Sequence, residues 1–123
     1  MVLADTSIWI DHFRRGDFQL SELLERGEIV MHPFIVGELV LGHVPKIAEM
    51  IDDLGGLPRA IVASADEVLG FIIDRKLPGL GIGYVDAHLL AAAALTPETS
   101  IWTRDKRLLA AAQSLSLAAE FPE

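Results

Sequence analysis

Short apolar runs alternate with helical segments along the whole chain, and this alternation limits the folds open to it more than any other feature. VLAD at residues 2–5 reads as a strand, and Ser7 to Arg14 as a helix with Thr6 or Ser7 as its N-cap. Leu20 to Glu25 is a second short helix closed by Gly27, and EIVM at residues 28–31 is the next strand. Pro33 to Leu41 reads as a helix with proline in its first turn and Gly42 at its end. Lys46 to Leu54 is another helix, stopped by Gly55 and Gly56. Arg59 to Val62 is a short strand, and Ser64 caps a helix running to about Lys76. Leu77 to Gly83 is a loop, Tyr84 to Leu95 a long alanine-rich helix, and SIWT at residues 100–103 a strand. Arg104 to Gln113 forms a helix, and a last short strand falls near Leu115 to Ala118. Strands alternating with helices make a mostly parallel sheet covered on both faces. Ligands of such open sheets bind beyond the carboxyl ends of the strands.

With 123 residues and no linker, repeat or low-complexity tract, the chain reads as one domain spanning 1–123. A hydrophobic content of 51% places it among globular proteins. No segment reaches the roughly 20 apolar residues of a membrane span. The longest apolar stretch, around Tyr84 to Leu95, is interrupted by Asp86 and His88. The N-terminus lacks a basic leader and Asp5 breaks its apolar run, so it does not read as a signal peptide. There is no cysteine, which excludes disulfides and thiolate metal sites and fits a cytoplasmic setting. The net charge is −8, from 18 acids against 10 bases. Nucleic-acid binders are usually basic, so the acids call for another source of neutralisation, a metal ion or a basic partner.

Four carboxylates stand where a chain of this pattern does not need them. Asp5 ends the first strand, where capping the next helix is the ordinary role for a lone Asp. Glu38, in PFIVGELVLG, has Phe34, Ile35, Leu41 and Gly42 as helical neighbours. It therefore occupies an apolar stripe and is expected to be buried, where an unpaired carboxylate costs several kcal/mol or shifts its pKa. Asp86, in YVDAHLLAAAAL, has Ile82, Gly83, Leu89 and Leu90 around it and faces inward near the start of its helix, where the dipole favours negative charge. Asp105 follows SIWT, just beyond a strand's carboxyl end, where it or Thr103 could also cap the last helix. If the first and fourth strands are neighbours, all four acids converge on one crevice. Carboxylates that close need a cation between them. Oxygen-only ligands select Mg²⁺, with Mn²⁺ as its alternative, over zinc. Such an ion suits phosphodiester chemistry and relieves the repulsion between an acidic site and a phosphate backbone.

Other constellations carry less. His12, His32, His43 and His88 show no zinc-binding spacing and read as surface or packed residues. Asp52 with Asp53 and Asp66 with Glu67 read as solvated faces or caps, and GLGIG as a flexible loop. Ser7 has no base at a recognisable spacing, so it reads with Thr103 as a supporting polar group. Arg104, Lys106 and Arg107 are the densest basic cluster and the candidates for phosphate contacts, against the reading, at least as strong, of a solvated helix start. Trp9 and Trp102 read as core or interface residues.

The ordered set ADTSIWID, GEL, GYVDAHLLAAA and WTRDKRL resembles the PIN-domain ribonucleases, and within them the VapC-type toxins of toxin–antitoxin pairs. The resemblance runs over essentially the full chain. It implies a three-layer α/β/α sandwich around a parallel sheet of strand order 3-2-1-4-5, which makes the first and fourth strands neighbours. It implies a Mg²⁺-dependent endoribonuclease with Asp5 and Asp86 as the principal metal ligands. Glu38 and Asp105 would complete the acidic pocket directly or through water, with Ser7 and Thr103 in support. It also implies an RNA substrate, a homodimer, and a cognate antitoxin whose basic or apolar segment blocks the site. The alternatives are a PIN-like domain that binds proteins without catalysis, and a phospho-accepting receiver domain. The latter needs an Asp after a central strand where EIVM is followed by His32.

Overall fold

The computed structural model describes residues 1–42 and 44–121. Its centre is β1 (Val2–Ala4), which is buried at every position and runs parallel to both of its neighbours. A continuous apolar strand without alternation is what a two-sided parallel sheet requires. On one side lies β2 (Ile29–Val30), with Val2 opposite Ile29 and Leu3 opposite Val30. On the other lies β3 (Ser100–Trp102), with Leu3 opposite Ile101 and Ala4 opposite Trp102.

The expected outer strands contract to single parallel bridges, Met31 with Arg59 beyond β2 and Ala118 with Ile101 beyond β3. With those bridges counted, the order is the predicted 3-2-1-4-5. The edge beyond β2 is short because few of its apolar residues are committed to the core. Ile61 and Val62 stay about half exposed, and the backbone N–H of Ile61 is taken by the Thr96 hydroxyl at 2.8 Å instead of a strand partner.

The helices are α1 (Thr6–Arg15), α2 (Phe18–Glu25), α3 (Pro33–Leu41), α4 (Ile47–Gly55), α5 (Ala65–Asp74), α6 (Tyr84–Leu95) and α7 (Lys106–Ser114). They flank the sheet as the outer layers of an α/β/α fold. α1 packs on β1 and α3, α3 on α4, and α5 on α6, which in turn lies against β3. The starts of α1, α2, α5 and α7 are set by Asp5, Asp17, Ser64 and Asp105, each of which accepts a backbone N–H of its helix's first turn. At α1 the N-cap is therefore Asp5 rather than Thr6 or Ser7. Residues 87–93 of α6 are all buried, and small Ala87 and Ala91 let α5 approach through Val68. Leu3, Ile8, Ile35, Leu39, Leu90, Ile101 and Leu108 form the innermost core. Among the described residues no helix is long and apolar enough to cross a membrane.

Candidate active site

The parallel pairing of β1 with β3 builds the first part of the site. Ala4 lies opposite Trp102, and the N–H of Asp5 donates to the Trp102 carbonyl at 2.9 Å. Asp5 and Thr103 therefore emerge side by side beyond the carboxyl ends of adjacent strands. The Thr103 hydroxyl donates to Asp5 Oδ2. The Ser7 hydroxyl donates to Asp5 Oδ1 at 2.5 Å, and the Ile8 N–H reaches the same oxygen at 3.3 Å. Asp5 is only 7% exposed, and its carboxylate is held by Thr103 just after β3 and by Ser7 and Ile8 on α1. Thr103 Oγ1 also accepts the Asp105 N–H at 3.0 Å, so one hydroxyl orders two acids.

Asp105 caps α7, its Oδ1 accepting the N–H groups of Arg107 at 2.9 Å and Leu108 at 3.1 Å. Asp86, in the first turn of α6, accepts the Gly83 N–H at 3.3 Å through Oδ2. Burial raises the Asp86 pKa above the ordinary carboxylate value. The Gly83 N–H opposes that shift, and the negative charges of Asp105, Asp5 and Glu38 add to it. The four acids thus share one electrostatic neighbourhood, although they come from the ends of β1 and β3, from α6 and from α3. Asp5, Asp86 and Asp105 each accept a backbone N–H at a helix N-terminus, so cap duty and a shared negative field are compatible in these side chains.

Glu38 departs from the sequence expectation, because it is exposed rather than buried. α3 buries Ile35 and Leu39 and partly buries Val36, while Phe34, Val40 and Leu41 lie at the surface, Leu41 82% exposed. An all-round apolar helix gave no sign of which stripe meets the core. The Thr6 hydroxyl donates to Glu38 Oε1 at 2.6 Å. Thr6 was legible only as a helix-cap candidate; its position after Asp5 places it on the turn that faces α3.

The basic cluster divides. Arg104 is engaged by two carboxylates, Asp11 and, at 2.6 Å, Asp17. Lys106 is exposed at the start of α7. The Arg107 side chain crosses Gly81, where an added Cβ would come within 2.8 Å of its Cδ. His32 and His88 are packed residues, both buried, as the lack of metal spacing suggested; His43 lies outside the described residues. The tryptophans read as expected, Trp9 buried and Trp102 packed on Phe121 at 4.9 Å between ring centroids.

Among the described residues no three acid or histidine side chains form a closed metal cage. The donor set nonetheless fits Mg²⁺. It is all oxygen, it carries a local excess of negative charge that burdens Asp86, and Mg²⁺ ordinarily takes one or two carboxylates and keeps several waters. Asp86 Oδ1, Asp105 Oδ2 and Glu38 Oε2 have no donor among the described residues, so each of these three retains an open oxygen, whereas both Asp5 oxygens already accept and could take an ion only through a remaining lone pair.

A parallel 3-2-1-4-5 sheet with acids gathered at the carboxyl ends of its central strands is the PIN-domain arrangement, and the PIN domain family matches residues 2–113; the chain belongs to that family. It is of the VapC type. It is 43% identical over 118 residues to proteins named ribonuclease VapC32 from Mycobacterium tuberculosis, in strain CDC 1551 / Oshkosh and in strain ATCC 25618 / H37Rv. The alignment covers 96% of this chain and 95% of each relative.

Proposed function

We propose that the chain is a Mg²⁺-dependent endoribonuclease toxin that hydrolyses RNA phosphodiester bonds in the cytoplasm and is neutralised by a cognate antitoxin. The observation that carries this reading is the electrostatic convergence of Asp5, Glu38, Asp86 and Asp105 at the ends of the two central strands. The VapC32 relatives are ribonucleases by name, which supports the same chemistry here. Asp5 and Asp86 are the residues assigned to hold the ion, with Glu38 and Asp105 joining directly or through water. When bound, Mg²⁺ stabilises negative charge on the phosphoryl oxygens and makes water a better nucleophile. The protein's own part is orientation. Ser7 and Thr103 fix the Asp5 carboxylate, Thr6 fixes Glu38, and the helix N-terminus above Asp105 locks its rotamer.

RNA is the substrate, with Lys106 and Arg107 as candidate phosphate contacts and Arg104 the poorer one, because two acids already hold it. Two apolar surfaces support the partner assignments. The exposed side chains Val40 and Leu41 on α3 and Leu69 and Ile73 on α5 suit a homodimer. A groove of about 310 Å³ is lined by the apolar Trp9, Phe13, Leu24, Met50 and Leu54 and by the charged Glu49 and Asp53, with one base, Lys46, beside them. Its apolar lining and the excess of two acids over one base suit an amphipathic antitoxin segment that carries basic residues.

The test is cleavage of total RNA by the purified chain with Mg²⁺, compared with Asp5→Asn and Asp86→Asn. Each variant should lose activity by a factor of about 100 or more. Parental rates in either variant would remove that residue from the metal site. A parent that leaves RNA intact with Mg²⁺ or Mn²⁺ would favour the non-catalytic alternative.

A further inference from the structure

Arg104 sits between two site residues, Thr103 and Asp105, yet its own side chain turns to other partners. One guanidinium nitrogen, Nη1, donates to Asp11 Oδ2 on α1. The other, Nη2, donates to Asp17 Oδ2 at 2.6 Å. Asp17 is itself fixed: its Oδ1 caps α2 through the Leu20 N–H at 2.9 Å, and its backbone N–H donates to His12 Nδ1 at 3.0 Å. The guanidinium carbon also lies 5.9 Å from the centre of the Trp102 ring. Arg104 therefore ties the turn after β3 to the corner between α1 and α2.

This second tie matters because of where the first one is. Thr103, one residue earlier, holds Asp5 at the N-cap of α1. Asp11 lies six residues further along the same helix, about 9 Å along its axis at 1.5 Å per residue. α1 is already seated in the core by Ile8 and Trp9, and the Arg104 ion pairs add a polar tie toward its far end, away from the Asp5 cap. Thr6 and Ser7 at the start of the same helix hold the Glu38 and Asp5 carboxylates, so the placement of α1 relative to the Thr103–Asp105 turn bears on the site. Exposed ion pairs contribute little stability individually. A guanidinium fork bridging carboxylates from two elements instead contributes directional constraint.

We propose that Arg104 is a positioning residue: its ion pairs with Asp11 and Asp17 hold the Thr103–Asp105 turn in register with α1 and so keep the acidic site assembled. The proposal rests on the Mg²⁺-dependent ribonuclease reading and replaces a phosphate contact as the role of this side chain. The two roles predict opposite kinetics. A phosphate contact acts on RNA affinity and its salt dependence. A clamp acts on the geometry of the chemical step, and its loss is reproduced by removing the clamp's acids.

The experiment uses the full chain with Mg²⁺ and an oligoribonucleotide spanning the strongest site that the parent cuts in total RNA. Arg104→Gln, the pair Asp11→Asn with Asp17→Asn, and the triple variant are compared. Asn retains the cap at position 17, so the paired variant keeps α2 in place and carries the test if Arg104→Gln does not fold. The expected result is a fall in kcat of about 10-fold or more with KM unchanged. The fall should be of similar size in all three variants, because both ends of one interaction are lost together. Arg104→Lys should recover part of it. Parental kcat in Arg104→Gln overturns the clamp. So does a raised KM with a shallower salt dependence in Arg104→Gln alongside a parental Asn pair, which would return Arg104 to the RNA surface. A parent that cuts no RNA refutes the ribonuclease reading instead, and the two failures are distinct.

Discussion

Asp86 shows how one residue can serve function against stability. Its carboxyl is partly buried and faces three other acids, and its pKa is raised above the ordinary carboxylate value. For an acid with a raised folded-state pKa, the folded form binds the proton more tightly than the unfolded chain. Its contribution therefore favours folding at low pH and is lost as pH rises through the folded value. At neutral pH the ionised group is a net burden. Asp86→Asn keeps an acceptor for the Gly83 N–H while removing the charge. It should raise stability, seen as a higher Tm in chelator at pH 7, while lowering cleavage by a factor of about 100 or more. A variant less stable than the parent would show that the four carboxylates do not strain the fold. At this scale the sequence was informative about residue type and chain position, and wrong about the burial of Glu38. Local spacing identifies a helix's stripes but does not say which stripe meets the core.

At the scale of elements, helix termini and one loop do the positioning. Asp5, Asp86 and Asp105 each satisfy a backbone N–H at a helix start, so their cap duty fixes their rotamers. Strand, helix and cap were readable because hydrophobic period and capping chemistry are local. α3 and α6 carry the bounds expected of them. The edge strands were less readable, because a strand's length depends on what its partner offers. The LPGLGIG loop also holds more than flexibility. Gly81 has φ of 79°, a left-handed conformation, and the Arg107 side chain lies directly over it. Gly81→Ala should cost about 1–2 kcal/mol from the backbone conformation alone, measured as a lower urea midpoint. It should also displace Arg107 and weaken RNA binding. A neutral effect on both would mean that the loop relaxes freely.

For the whole molecule, acid sensitivity is built into the contact between the β2–α3 junction and α6. His32 is fully buried and caps α3, its Nδ1 accepting the Phe34 N–H at 3.0 Å. The Phe34 ring lies between the imidazoles, 5.1 Å from His32 and 4.6 Å from His88 by ring centroids. Burial, with the nearby His88, lowers the His32 pKa from 6.5 to about 4, and burial lowers that of His88. Both rings are therefore held neutral in the fold, and protonating His32 at Nδ1 would remove the α3 cap. Depressed folded values mean that the stability is fully present above about pH 6.5 and is lost as pH falls toward 4. The loss attributable to His32 is on the order of 3 kcal/mol. Urea unfolding between pH 7 and 4 should show this acid limb. His32→Asn, which keeps an N-cap acceptor, should flatten it; an unchanged limb would move the acid sensitivity to the carboxylates.

What the sequence determined by itself was the alternation of strand and helix and the identity of the acids at strand ends and helix starts. All of these follow from periods of two and 3.6 residues and from capping, which act over a few neighbours. What only the tertiary structure decided was which side chains meet across distant segments. Thr103 reaches Asp5 over 98 positions of sequence separation, Thr6 reaches Glu38 over 32, and Arg104 pairs with Asp11 and Asp17 instead of pointing outward. Such pairings depend on strand register and on how helices lean on one another. Those are set by the packing of the whole core, where no local pattern records them.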